Sequence, residues 1–182
     1  MIDPAVAGRI RLLGLDVDGV LTDNAVYLGL VAGQRVEFKR FDIQDGLGIG
    51  LARRLGMVVA LVSGRYSDAT TLRATELKID EVIQDKEARK VPAMTEMLMR
   101  RGIGWDEVAF VGDDLADLPV LRRVGLPIAV ANAVTEVKEL AAYTTTARGG
   151  SGAVREVIET LFRAQGRWEE AVRTYLGDRG ER

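Results

Sequence analysis

Asp16 and Asp18 stand two residues apart in Asp16-Val17-Asp18-Gly19-Val20, directly after the apolar run Ile10-Arg11-Leu12-Leu13-Gly14-Leu15. Such a run reads as a strand buried on both faces. Alternation along the strand sends both carboxylates to one side. Two like charges that close, taken out of water, cost several kcal/mol, on the order of a buried ion, unless a cation or a proton intervenes. A turn at Asp18-Gly19 with Asp16 as a helix cap would account for one aspartate but not for the pair. Two more polar clusters follow apolar runs: Ser63-Gly64-Arg65 after Met57–Val62, and Gly112-Asp113-Asp114 with Asp117 after Val108-Ala109-Phe110-Val111. Each alone is an ordinary strand-to-helix turn. Three in succession, at one edge of one sheet, point to a site, because ligands of parallel sheets bind beyond the carboxyl ends of the strands.

The chemistry these residues suit is that of phosphate held by a hard cation. Asp16 and Asp113 offer oxygen ligands of the kind Mg²⁺ takes. The cation offsets carboxylate repulsion and draws a phosphate dianion toward an otherwise negative pocket. The Ser63 hydroxyl and the backbone N–H groups after it, at a helix start, suit a phosphoryl oxygen. A lysine remains to be found for the charge that develops on the transferring group.

Composition narrows the alternatives. The chain of 182 residues is 47% hydrophobic and 29% charged, the proportions of a globular protein with one domain's worth of core. A formal net charge of −2 gives no electrostatic reason to bind nucleic acid or an anionic membrane. The absence of cysteine removes disulfides, thiolate chemistry and zinc–sulfur sites. The absence of histidine removes the commonest general base and the usual transition-metal ligand, leaving acid–base work to carboxylates, Lys or Tyr. No secretory signal and no apolar run near 18 residues is evident, so the cell interior is the expected location.

The elements that must position these residues alternate strand with helix. Ala25-Val26-Tyr27-Leu28 and Arg35–Phe41 flank Ala32-Gly33-Gln34 and read as a β-hairpin, an insert over about 25–41 that serves as decoration or as a flap. Asp45-Gly46 is expected to open a helix over Leu47–Leu55 that Gly56 closes. After the second strand, Ser67 or Asp68 caps a helix through Leu77. A short strand Glu81-Val82-Ile83 precedes a helix from about Lys90 to Arg101, with Pro92 tolerated in its first turn. Leu118–Val124 and Val134–Ala141 read as helices, Leu126–Val130 and Tyr143-Thr144-Thr145 as β, and Gly149–Gly152 as a loop before a last helix at Ala153. The end, from Gly166, reads as a fraying tail. The pattern predicts one α/β domain over 1–182: a doubly wound parallel, Rossmann-like sheet with helices on both faces, a small hairpin flap and no large cap domain. The exposed side of the hairpin at Tyr27, Leu28 and Leu30 suits a partner surface or, equally, a core-facing strand.

The three clusters resemble the motifs of the haloacid dehalogenase-like phosphohydrolases, whose first motif is Asp-x-Asp-x-[Thr/Val]. The resemblance implies that Asp16 is a nucleophile forming an aspartyl-phosphate, and that Asp18 protonates the leaving alcohol and later deprotonates water. It implies Mg²⁺ ligated by the Asp16 and Asp113 side chains and the Asp18 backbone carbonyl. Asp114 and Asp117 then act through water or behind the ligands, and Ser63 and Gly64 bind phosphate. For the family's lysine, Lys90 fits best because it opens a helix and precedes Val91-Pro92-Ala93; Lys86 is the rival.

A narrower resemblance spans nearly the whole chain. Asp-x-Asp-Gly-Val-Leu-Thr-Asp, the hairpin, Phe41-x-x-x-Asp45-Gly46, Gly-Asp-Asp-x-x-Asp-Leu-Pro and Gly-Gly-x-Gly-Ala-Val-Arg-Glu are similar to the family of 3-deoxy-D-manno-octulosonate 8-phosphate phosphatases. It implies a Mg²⁺-dependent enzyme acting on a small sugar phosphate, a homotetramer joined through the hairpins, and a C-terminal tail from about 166 that approaches a neighbour's site. It makes Gly149–Gly152 functional. Two departures bear on the substrate: Asn24 stands where many members have Gly, and Gln84–Lys90 is one residue longer than the common pattern and lacks its Gly. A nine-carbon ketoaldonate 9-phosphate is the alternative substrate, and a binding module without turnover the alternative class. Arg65 suits a substrate carboxylate, which Arg grips with two bonds, or a local partner at its helix start.

Overall fold

The computed structural model describes residues 1–180. Strand β1 (Leu12–Leu15) runs through the centre, and all its residues are buried. Their uninterrupted apolarity is what a strand covered on both faces requires. β1 pairs in parallel with β4 (Val58–Ser63) on one side and β6 (Val108–Gly112) on the other, with Leu12 opposite both Val58 and Val108. With β5 (Glu81–Gln84), β7 (Leu126–Ala129) and β8 (Tyr143–Thr144), the order across the sheet is β5-β4-β1-β6-β7-β8, every neighbouring pair parallel. The chain winds outward from β1 to β5, then returns across β1 to start β6. The winding therefore reverses between β1 and β6, and a crevice opens at their carboxyl ends.

The helices fall into two groups by their contacts. One comprises α1 (Pro4–Ala7), α2 (Ile43–Arg54), α3 (Asp68–Leu77), α7 (Ala153–Ala164) and α8 (Trp168–Gly177); the other comprises α4 (Lys90–Arg101), α5 (Leu118–Leu121) and α6 (Thr135–Leu140). Leu13, Leu15, Leu61, Phe110 and Phe162 are among the fully buried side chains of the core between sheet and helices. Burial of a side chain of this size contributes about 1.5–3 kcal/mol.

Several expectations shift. Helix α2 starts earlier than Leu47, because Asp42 caps it by accepting from the Gln44 N–H at 2.7 Å, so Asp45-Gly46 lies within the first turn. The end of the chain does not fray over Trp168–Gly177: it forms α8, whose Trp168 and Ala171 are buried. The hairpin is β2 (Tyr27–Val31) and β3 (Gln34–Phe38), joined by Ala32-Gly33, both at positive φ. That backbone suits the tight turn whose twist matches the strands. The hairpin forms its own two-stranded sheet, tied at its base by an antiparallel bridge between Thr22 and Phe41. Its apolar residues do not face the core: Leu28 is 60%, Leu30 75% and Phe38 60% exposed.

Candidate active site

The crevice predicted by the winding is a cavity of about 220 Å³, lined by Asp16, Asp18, Ser63, Gly64, Arg65, Lys90, Asp113, Asp114 and Asp117, with Asn24, Ala88 and Ala116 completing it. Every sequence-predicted site residue lies here. Its floor is built from the ends of β1 and β6. Sheet register fixes Asp16, whose N–H donates to the Val111 carbonyl at 3.0 Å. The next residues, Val17–Leu21, turn at once, with Gly19 at φ 93° and packed so closely that a Cβ there would strike the Asp113 carboxylate. Glycine is needed there on both counts.

Lys90, the first residue of α4, is the one of the two candidate lysines that lines the cavity. Its Nζ is buried and donates to Asp16 Oδ1 and Asp117 Oδ1, each at 2.6 Å. Lys86 is exposed and lies over the Tyr66 ring instead. Asp117 is more committed than its sequence position suggests: Oδ1 holds Lys90, and Oδ2 accepts from the backbone N–H of Asp113 at 2.9 Å and of Asp114 at 3.3 Å. It ties the β6 loop to the lysine. Asp114, by contrast, is exposed and turns back to cap Leu115 N at 2.7 Å.

The floor carries more carboxylates than Lys90 offsets. Asp16, Asp113 and Asp117 each bring an oxygen within 4.8 Å of the others, and Asp113 Oδ1 is buried with no hydrogen-bond partner. Burial, and then Asp117, push the Asp16 carboxyl up to about 7 against the pull of Lys90. Burial, then Asp16, Asp117 and Asp114, push Asp113 up to about 8. Burial disfavours the charged form of Lys90, but Asp16 and Asp117 outweigh it and hold Lys90 above its ordinary range. A buried carboxylate oxygen without a donor, among like charges one lysine cannot offset, fits a hard divalent cation held by Asp16 and Asp113. The Asp18 carboxylate is not in this cluster.

Asp18 faces the hairpin. Lys39 Nζ lies 2.7 Å from Asp18 Oδ1, and Arg65 Nη1 3.8 Å from Oδ2. Glu37, two residues before Lys39 on the same face of the chain, takes Arg65 Nη2 at 2.7 Å and Nη1 at 3.4 Å, and accepts from Ser67 Oγ at 2.7 Å. Burial works to raise the Glu37 carboxyl, but Ser67 and Arg65 hold it below the usual range. Ser63 is buried, its hydroxyl donating to the Arg65 carbonyl at 2.9 Å and accepting the Arg65 N–H at 3.2 Å. Glu37 and Lys39 went unread in the sequence, although two charges alternating along a strand were the available signal. Asn132 was missed as well. It donates to the Gly19 carbonyl at 2.9 Å and accepts the Gly149 N–H at 2.6 Å, and a side chain at Gly149 would collide with that carbonyl. The glycine loop thus braces the Asp16–Gly19 turn.

A profile of the haloacid dehalogenase-like hydrolases matches residues 59–158. The chain is 42% identical to 3-deoxy-D-manno-octulosonate 8-phosphate phosphatase KdsC of Escherichia coli (strain K12) over 167 residues, covering 92% of this chain and 87% of that protein. The same phosphatase from Moraxella catarrhalis, solved in complex with magnesium ion, phosphate ion and KDO, superposes with a TM-score of 0.88 at 35% identity, covering 94% of this chain and 97% of that one. A probable YrbI family phosphatase of Pseudomonas syringae superposes with a TM-score of 0.88 at 41% identity, covering 95% and 96% of the two chains. With Asp16, Ser63, Lys90 and Asp113 gathered at the reversal of the sheet, this chain belongs to the haloacid dehalogenase-like hydrolases.

Proposed function

We propose that the protein is a Mg²⁺-dependent phosphomonoesterase that hydrolyses 3-deoxy-D-manno-octulosonate 8-phosphate to the free eight-carbon sugar acid and phosphate. The observation that carries this reading is the electron-rich floor, where Lys90 bridges Asp16 and Asp117 at 2.6 Å and Asp113 Oδ1 waits unpartnered, in a chain 42% identical to a phosphatase of that substrate.

Asp16 attacks phosphorus, the ester P–O bond breaks, and the leaving alcohol takes a proton from Asp18. Water then attacks the aspartyl-phosphate, Asp18 receives the water's proton, and phosphate leaves with Asp16 restored. Lys90 holds Asp16 in place and offsets charge gathering on the phosphoryl oxygens. Ser63 and the N–H groups at Gly64 receive a phosphoryl oxygen. Mg²⁺, held by Asp16 and Asp113 with the Asp18 carbonyl, supplies Lewis-acid stabilisation and charge balance when bound. Arg65 lines the cavity with its fork held by Glu37, so it meets the sugar carboxylate only by giving up that partner.

The protein assembles as a homotetramer inside the cell, through the apolar residues the hairpin exposes, and its C-terminal segment approaches a neighbour's cavity. Support for the assembly lies in Leu28, Leu30 and Phe38, too exposed for a monomer's surface to gain from them. No described helix is long and apolar enough to cross a membrane.

The test is phosphate release from eight-carbon and nine-carbon ketoaldonate phosphates and hexose phosphates, with Mg²⁺ or with EDTA. Strong preference for the eight-carbon substrate, abolished by EDTA, is expected. Preference for the nine-carbon substrate would reassign the specificity, and silence across the panel would leave a binding module.

A further inference from the structure

The hairpin does more than cover the cavity. Lys39 leaves β3 just past Phe38 with its side chain 0% exposed and its Nζ 2.7 Å from Asp18 Oδ1. Two further contacts fix that nitrogen: it donates to Thr70 Oγ1 at 3.3 Å and lies 3.8 Å from Glu37 Oε1. Sequestering a lysine this way costs desolvation, and a buried ion pair stabilises a fold no better than well-packed apolar side chains of similar volume. Fold stability alone therefore does not account for it.

The two oxygens of Asp18 meet different surroundings. Oδ1 is buried against Lys39 without making a hydrogen bond; the contact is an ion pair. The Asp18 side chain is 20% exposed and lines the cavity, so the face left open is that of Oδ2. At 3.8 Å, Arg65 Nη1 is too far to occupy Oδ2 with a hydrogen bond. A carboxylate otherwise rotates broadly about its last torsion, and proton transfer needs a heavy-atom separation of roughly 2.6–3.2 Å.

We propose that Lys39 is a positioning residue for Asp18: by pinning Oδ1 it presents Oδ2 to the leaving oxygen of the substrate. The inference rests on the reading of Asp18 as proton donor and acceptor. It makes the hairpin part of the catalytic apparatus, since β3 and the residue after it deliver the group that aims the acid. Lys39 itself touches neither substrate nor phosphate.

The experiment compares two leaving groups in the Mg²⁺-loaded protein and reads the first turnover, release of the leaving group before the aspartyl-phosphate hydrolyses, because the water step needs Asp18 whichever substrate formed the intermediate. The eight-carbon sugar acid phosphate releases an alkyl alcohol that needs a proton, whereas p-nitrophenyl phosphate releases a phenolate that does not. Asp18→Asn is expected to lose activity selectively on the sugar phosphate. Lys39→Met is expected to follow it, with the first-turnover rate of leaving-group release down about 10–100-fold on the sugar phosphate, under about threefold on the aryl phosphate, and little change in the half-saturating substrate concentration. Equal loss of that first-turnover rate on both substrates, or weaker saturation with the rate intact, would overturn the proposal, the latter by making Lys39 a substrate contact. Selectivity in Asp18→Asn without selectivity in Lys39→Met sinks the lysine assignment alone; no selectivity in Asp18→Asn sinks the acid reading beneath it. Should Lys39→Met fail to fold, Thr70→Val carries the same comparison. It removes the hydroxyl steadying Nζ, and is expected to cause a smaller loss confined to the sugar phosphate; an equal loss on both substrates overturns the proposal.

Discussion

Lys90 and Lys39 are both buried lysines that grip an aspartate of the Asp16-Val17-Asp18 stretch, yet they reach it from different kinds of structure. Lys90 opens a helix next to the sheet and closes on Asp16 and Asp117 at 2.6 Å, over strands whose register holds everything in place. Lys39 comes from a two-stranded hairpin outside that sheet, its outer residues Leu28 and Leu30 open to solvent. The floor is rigid because it continues the core. The wall depends on a small element that, as an isolated two-stranded ribbon, is marginal in water without further packing. The Asp16–Lys90–Asp117 cluster is thus placed on the sheet, and the groups that hold Asp18 and Arg65 are placed on an element that needs support.

The contrast breaks most sharply at the floor. Asp16→Asn is expected to abolish phosphate release, a loss of about 10³-fold or more, with the far-UV circular dichroism unchanged. Activity within tenfold of normal would remove Asp16 as nucleophile. Lys90→Met is expected to cost about 10²-fold in kcat and, by leaving Asp16 and Asp117 unpaired, roughly 3 kcal/mol of stability in urea unfolding of the metal-free protein. Lys86→Met in the same assays should be neutral; the reverse pattern would exchange the two lysines.

At the wall, replacing Leu28 and Leu30 together by aspartate is expected to convert the proposed tetramer to monomers in light scattering. A variant that kept its full mass would move the interface elsewhere. Metal removal should be felt chiefly on the floor: EDTA is expected to lower the melting temperature by about 5–10 °C against saturating Mg²⁺, as loss of a ligand bound near 100 times its Kd implies. An unchanged melting temperature would mean that Asp16 and Asp113 hold no cation.

The smallest effect lies behind both regions, at Asp45. This carboxylate is buried, accepts the Arg155 N–H at 2.8 Å, and leaves Oδ2 without a partner. Burial raises it from 3.8 to about 6. The native state therefore binds its proton more tightly than the unfolded chain, and stability falls as pH rises from about 4 to about 6, by at most roughly 3 kcal/mol. Asp45→Asn is expected to flatten that fall in urea titrations across this range; an unaltered slope would place the loss on other carboxylates.

The residues that were legible and those that were not follow the same division. Asp16, Ser63, Lys90 and Asp113 sit within a residue or two of strand ends or at a helix start, so local pattern and parallel winding brought them together on paper as they are in space. Asp117 was found as an acidic residue but not as the tie between Lys90 and the β6 loop, because its two oxygens serve groups from different elements. The start of α2 was misplaced because Asp45-Gly46 looks like a helix opening, whereas Asp42 supplies the cap bond. The last helix looked frayed because its charges alternate; the burial of Trp168 is what orders it, with Arg155 and Arg163 over its ring.

By itself, then, the sequence determined the winding of the sheet, the aspartate pair after β1 and the chemistry open to a chain without histidine or cysteine, since all of these depend on residue type and on spacing within a single element. Only the tertiary structure decided that Asp18 turns from the metal cluster toward Lys39, that Glu37 occupies the fork of Arg65, and that Asn132 and Gly149 brace Gly19. Those contacts join residues from 17 to 113 positions apart, and no local propensity encodes which of many surface groups will meet once the core has packed.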